Sequence, residues 1–279
     1  MSIQTELTRL TNAKAAIKTA IEGKGVTVPP DTLLDGMASL IESIEAGGGA
    51  TGPYIEEVID GNGDLTNATL HGYTIIRSYA FNNCSELALT SLPSGLTSIG
   101  NYAFQKCSKL ALTSLPSGLT SIGNNAFQNC SELALTSLPS GITSIGNFAF
   151  QNCSSLALTS LPSGITSIGD YTFYNCTKLA LASLPSSLTS IGTIAFNNCS
   201  SLALTSLPSG LTSIGNYAFY GCLGLDSLTF EGKPESISSS AFKECTNLTT
   251  INVPWAPEAV ANAPWGAINA TINYNYTGA

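Results

Sequence analysis

The thiols of Cys84, Cys107, Cys130, Cys153, Cys176, Cys199, Cys222 and Cys245 are the groups in this chain best suited to nucleophilic, redox or metal chemistry, and every interval between them is 23 residues. That spacing argues against all three uses. In-register residues on stacked parallel coils lie about 4.8 Å apart and point the same way. A disulfide needs Cβ atoms about 3.5–4.5 Å apart and side chains that converge. Zinc ligation would call for Cys-x-x-Cys or histidine pairing, and the chain has neither. The expectation is a column of buried thiols acting as small hydrophobes.

The other reactive groups fare no better. His71 is the single histidine, so any Ser-His-Asp or Cys-His site must be built on it, and it stands beside Gly72 with no nucleophile set to meet it. Glu86 and Glu132 occupy positions where Lys109 and Lys178 also occur, the pattern of a solvated face. Asp60-Gly-Asn62-Gly-Asp64 alternates oxygen side chains as a calcium loop does, but Leu65 and His71 stand where such a loop needs glycine and a bidentate glutamate. It reads as a polar turn. Phosphate-binding glycine motifs are missing. No catalytic residue, metal or cofactor is expected.

What positions the cysteines is an array. Phe81, Phe104, Phe127, Phe150, Phe173, Phe196, Phe219 and Phe242 each precede a cysteine by three, and leucines from Leu87 to Leu248 follow by three. A fixed period of this length is the mark of a solenoid. Pro93, Pro116, Pro139, Pro162, Pro185 and Pro208 end each strand, having no N–H for a ladder. Residues 54–253 form this array, with 54–77 as a degenerate half-repeat in which Ile76 takes the column of Ile99.

The flanks differ. Over residues 1–46, Ile3, Leu7, Leu10, Ile17 and Ile21 lie on one helical stripe, and Asp31 is placed to cap a second helix carrying Leu34, Met37, Leu40, Ile41 and Ile44. That predicts a helical hairpin, followed by a Gly-rich linker at 47–53. Residues 254–279 leave the register and hold both tryptophans, Trp255 and Trp265, which predicts an aromatic cap with one short strand.

Ala-Phe-x-x-Cys-x-x-Leu with a downstream Leu-Pro or Val-Pro resembles the BspA-like leucine-rich repeats of bacteria, and Leu225-Asp-Ser-Leu228-Thr-Phe230 looks like their strand. The resemblance implies a curved, right-handed parallel β coil that binds other macromolecules without catalysis, often at a cell surface. Lys24-Gly-Val-Thr-Val-Pro29, Ala263-Pro-Trp-Gly266 and Thr271-Ile-Asn-Tyr-Asn-Tyr276 are similar to segments of prophage-associated tail proteins.

Two columns are candidate binding positions. If the register of the last two units holds throughout, Leu89, Leu112, Leu135, Leu158, Leu181 and Leu204 line the concave face, and the column from Thr90 faces inward. A local strand shift would reverse both. Tyr79, Tyr102, Phe148, Tyr171 and Tyr217 share a second column, suited to stacking sugars or a partner's apolar surface, or to packing between coils. Asn83-Cys-Ser, Asn129-Cys-Ser and Asn152-Cys-Ser read as turn residues beside a buried cysteine rather than glycosylation sites.

Composition bounds the partners. A net charge of −8 with 10% charged residues argues against a nucleic-acid groove and offers anionic lipid no attraction. No apolar run is long enough to span a bilayer. The start lacks the pattern of a signal peptide, and no sortase-type motif is present, so classical export is not expected. The sequence thus predicts a non-catalytic scaffold for a protein or glycan partner. The alternatives are a phage tail or virion component, homo-oligomeric through residues 1–46, and a cell-surface adhesin.

Overall fold

The computed structural model describes residues 54–59 and 65–278. The predicted hairpin at 1–46, the linker at 47–53 and the Asp60–Asp64 turn lie outside the described residues. Two compact units are present, one ending at Thr74 and one beginning at Ile75.

In the first unit, β1 (Tyr54–Ile59) pairs antiparallel with β2 (Leu65–His71), Tyr54 opposite His71. The expected half-repeat is therefore a β-hairpin up to His71. The register of the repeats begins later, where Ile76 pairs with Ile99.

The second unit is a parallel β-solenoid of about nine turns. One side is a ladder of Ser–Ile pairs. β3 (Ile75–Ile76), β4 (Ser98–Ile99), β5 (Ser121–Ile122) and β6 (Ser144–Ile145) form one four-stranded sheet. β7 (Ser167–Ile168), β8 (Ser190–Ile191), β10 (Ser213–Ile214) and β12 (Ser236–Ile237) form a second. The second residue of all eight is a buried isoleucine, while Ile75, which stands in β3 where the others have serine, is exposed. A glycine follows most of these pairs because the turns approach too closely for a side chain. A Cβ on Gly123 would stand 2.7 Å from the Asn101 nitrogen of the preceding turn.

The ladder breaks between β6 and β7. The Gly146 N–H donates to the Ile122 carbonyl at 2.9 Å and the Gly192 N–H to the Ile168 carbonyl at 2.8 Å, but no such bond joins Gly169 to Ile145. The cause stands one turn on. Thr172 occupies the column otherwise held by Ala103, Ala126, Ala149, Ala195, Ala218 and Ala241, and it is fully buried. Its hydroxyl lies 3.0 Å from the Gly169 carbonyl and 3.3 Å from that of Gly146. A side chain larger than alanine thus wedges the two turns apart where the ladder is interrupted.

A third four-stranded sheet occupies the C-terminal end: β9 (Ser206–Leu207), β11 (Ser227–Phe230), β13 (Thr250–Asn252) and β14 (Thr271–Asn273). The spacing of buried residues explains why it does not run further back. Leu228 and Phe230 are buried and alternate across Thr229, as a strand requires. In the turn at 110–115 the inward residues are Leu110, Leu112 and the half-buried Leu115, so Thr113 and Ser114 face solvent together. Two successive outward residues break the two-residue period, and no strand forms there.

Inside, the phenylalanine column is one continuous stack. Adjacent rings from Phe81 to Phe242 lie 5.1–5.6 Å apart and within 2–11° of parallel. Offset stacking of this kind contributes about 0.5–1.5 kcal/mol per pair beyond burial. The C-terminal segment closes the array as a further turn. Trp265 is fully buried there, 5.7 Å from Phe230, and its carbonyl accepts the Phe242 N–H at 2.9 Å as Ala241 does for Phe219. Trp255 packs edge-on against Phe230 at 5.3 Å, and β14 supplies the predicted strand.

Candidate binding surface

The eight cysteines are free thiols, Cys84 half-buried and the other seven buried. Each of the seven points along the axis and donates its S–H to the carbonyl of the phenylalanine 26 positions earlier, from Cys107 to Phe81 through Cys245 to Phe219, at 2.9–3.1 Å. Burial pushes Cys107 and Cys245 up to about 12. Burial, reinforced by neighbouring thiols, raises Cys130, Cys176, Cys199 and Cys222 well above the ordinary thiol value. The nucleophilic thiolate is therefore suppressed in the interior. His71 belongs to the first unit and all the cysteines to the second. Among the described residues no three His, Cys, Asp or Glu side chains are grouped to hold a metal ion, and no helix is long and apolar enough to cross a membrane.

The leucine column is corrected. Leu89, Leu112, Leu135, Leu158, Leu181 and Leu204 are buried, none more than 3% exposed. Thr90, Thr113, Thr136, Thr159 and Thr205 are exposed instead, as is Ala182. The register of the last two units does not extend to the central ones, for the spacing reason given above. What the outer face offers there is a hydroxyl row.

The aromatic column lies at the surface. Tyr79 is 60% exposed, and Tyr102, Phe148, Tyr171 and Tyr217 are half-buried. Tyr79 stacks on Tyr102 at 4.8 Å and Phe148 on Tyr171 at 4.7 Å. Tyr174 meets Tyr171 edge-on at 6.0 Å, and Tyr220 meets Tyr217 at 5.8 Å. Asn125 and Ile194 interrupt the column.

Every residue of this column, Asn125 and Ile194 included, has a positive φ, from 54° at Tyr217 to 65° at Tyr79. Left-handed backbone costs an ordinary side chain about 1–2 kcal/mol, and asparagine and glycine tolerate it best. A second column four residues later has the same backbone and largely follows that rule, with Asn83, Asn129, Asn152, Asn175, Asn198 and Gly221, Lys106 and Glu244 being its two exceptions. The aromatic column ignores the rule. Backbone preference does not account for its tyrosines, its phenylalanine or the β-branched Ile194.

Two shallow troughs of about 400 and 390 Å³ follow the Ser–Ile–Gly ladder. They exist because the glycine columns carry no side chains.

The model of the BspA-type leucine-rich repeat region matches residues 61–180 and 166–262, in six copies. The chain belongs to the BspA-type leucine-rich repeat family. Solved structures similar to it include a leucine-rich repeat protein of Bacteroides ovatus, 21% identical over 79% of this chain and 75% of that one, with a TM-score of 0.44. A leucine-rich cell surface protein of Faecalibacterium prausnitzii is 21% identical over 81% of this chain and 95% of that one, with a TM-score of 0.37. A leucine-rich repeat protein of T. pallidum is 25% identical over 71% and 81%, with a TM-score of 0.37. No curated protein matches. The family match stops at residue 262, and no relative supports the likeness of 24–29 and 263–276 to phage tail proteins.

The sequence put Tyr79, Tyr102, Phe148, Tyr171 and Tyr217 in one column. It did not show Tyr174 and Tyr220 joining it, although their place three residues after Tyr171 and Tyr217 was visible. Nor did it show the strained backbone, which in the neighbouring column is signalled by asparagine.

Proposed function

We propose that this protein is a non-catalytic recognition scaffold whose repeat surface binds a protein or glycan partner, with the aromatic column at the centre of contact. The observation that carries this reading is the contrast between two columns of identical backbone. One holds asparagine or glycine, which left-handed φ favours, at six of eight positions, and the other holds surface aromatics, which it disfavours, at five of seven. Strain kept at the surface points to use there. Aromatic side chains are also the commonest anchors of binding surfaces. The seven buried thiols have no part in it.

The test is to treat the native full-length chain with N-ethylmaleimide, then offer treated and untreated protein to arrayed glycans and extracellular proteins. The scaffold reading expects saturable binding of an unaltered ligand, undiminished by alkylation. Turnover of any ligand, or loss of binding on alkylation of a buried cysteine, would contradict it.

A further inference from the structure

The aromatic column is a broken stack, and the breaks recur. Tyr79–Tyr102 is followed by Asn125, Phe148–Tyr171 by Ile194, and then come Tyr217 and Ser240, so the second break falls three turns after the first. At each, a half-buried side chain that reaches less far than tyrosine, Asn125 or Ile194, stands between two aromatic residues of the column. The walls of the first gap are Tyr102 and Phe148, and those of the second are Tyr171 and Tyr217. Walls two turns apart are about 9.5 Å from each other along the axis. Carbon atoms in contact lie about 3.5–4.0 Å apart, so one ring fits between the walls with each face covered.

The chemistry beside the gaps narrows what that ring is. Three residues after each member of the first gap stand Gln105, Gln128 and Gln151, tied to it by turn bonds such as Gln128 N–H to the Asn125 carbonyl at 3.2 Å. Their amides are linked to one another along the axis, with the Asn82 amide donating to Gln105 at 2.7 Å. The amide nitrogens of Asn82, Gln105 and Gln128 each spend one hydrogen on the next residue of the row, which leaves each a second. The second gap has the phenols of Tyr174 and Tyr220 in the corresponding places. The wall, floor, glutamine and Tyr174/Tyr220 side chains are uncharged, with Lys106 and Asp170 beside them in the sequence, and the chain's net charge of −8 repels polyanions.

We infer that the two gaps are subsites for a neutral glycan chain, each taking one sugar ring between two aromatic faces. The C–H faces of a pyranose suit the electron-rich ring faces, and its hydroxyls suit the spare amide and phenol groups. Three turns separate the subsites by about 14 Å. A ligand with regularly recurring rings can occupy both at once, which makes the second contact intramolecular and raises avidity by about 100-fold or more. This inference rests on the recognition-scaffold reading and specifies its ligand.

The experiment is titration of the full-length protein with cellohexaose, xylohexaose, mannohexaose and maltohexaose, each against its own monosaccharide. At least one hexasaccharide is expected to bind about 100-fold more tightly than its monosaccharide. The decisive variant is Asn125→Tyr with Ile194→Tyr. It fills both gaps on a backbone that neighbouring tyrosines already adopt, so the fold is kept and the stack becomes continuous. Hexasaccharide affinity is expected to fall about 100-fold. Tyr102→Asn with Tyr217→Asn removes one wall from each gap and is expected to weaken binding as much, by the opposite change in aromatic surface.

Equal or tighter binding by the filled variant would overturn the inference, because the outer edges of the stack and not its gaps would then hold the ligand. Failure of all four hexasaccharides to bind would overturn it too. If a protein ligand nevertheless binds and is lost in the filled variant, the gaps take a partner's aromatic side chains. The glycan assignment then fails while the scaffold reading stands.

Discussion

Cys107 and Cys245 set how this protein meets alkali. In the unfolded chain their thiols ionise near 9.0, and in the folded chain near 12. Between those values the unfolded state holds fewer protons, so stability is full below pH 9 and falls as pH rises toward 12. The slope is about 1.4 kcal/mol per thiol per pH unit, and the five other buried thiols act in the same direction. Thermal melts should show a steep decline in melting temperature from pH 9 to pH 11, and a flat profile would mean the thiols reach solvent. Phe150 is the matching test of the aromatic interior. Phe150→Ala removes two stacking partners from a fully buried site and should cost about 3–5 kcal/mol by chemical denaturation. A cost below about 1 kcal/mol would place that column outside the core. Both columns were legible from the sequence because each keeps one residue type through every turn. The leucine column misled because Leu112 and Leu228 look alike, and only the number of residues to the next inward leucine tells which strand position is buried.

At the scale of the element, the Ser–Ile ladder is interrupted by a single side chain. Thr172→Ala should let the turns close and give the Gly169 N–H the Ile145 carbonyl. In hydrogen exchange the Gly169 amide should be open in the natural chain and gain protection in the variant to the level of Gly146 and Gly192. Stability should change by no more than about 1 kcal/mol, one hydrogen bond being gained as the threonine hydroxyl's contacts are lost. Unchanged exchange at Gly169 would show that Thr172 is not the wedge. Thr172 was visible as an exception in an alanine column, but its consequence depends on contact between turns, which no single repeat displays. The β1–β2 hairpin was legible and was misread. Asp-Gly and Asn-Gly between two strand-like runs are strong hairpin signals, and they lost to the assumption that the repeat period extended to residue 54.

Taken whole, the molecule seals its chemistry inside and keeps uncharged side chains in ordered rows outside. A stacked array explains the interior: phenylalanine on phenylalanine, thiol to carbonyl, turn on turn, with Trp265 buried against Phe230 at the C-terminal end. It does not explain the surface tyrosines, which the proposed recognition role would use. The repeat class was legible because a 23-residue period runs through all eight Phe-x-x-Cys-x-x-Leu copies. The contact surface was only half legible, because its strain lies in dihedral angles and its gaps in the order of residues along a column. The measurement that bears most directly on this account replaces Tyr102, Phe148, Tyr171 and Tyr217 together by asparagine, the residue that Asn125 shows the backbone prefers. Relief of left-handed strain should offset the lost stacking, so the melting temperature should hold within a few degrees while ligand binding falls by about 100-fold or more. A collapse in melting temperature with binding intact would make the aromatic column a structural element and contradict the account.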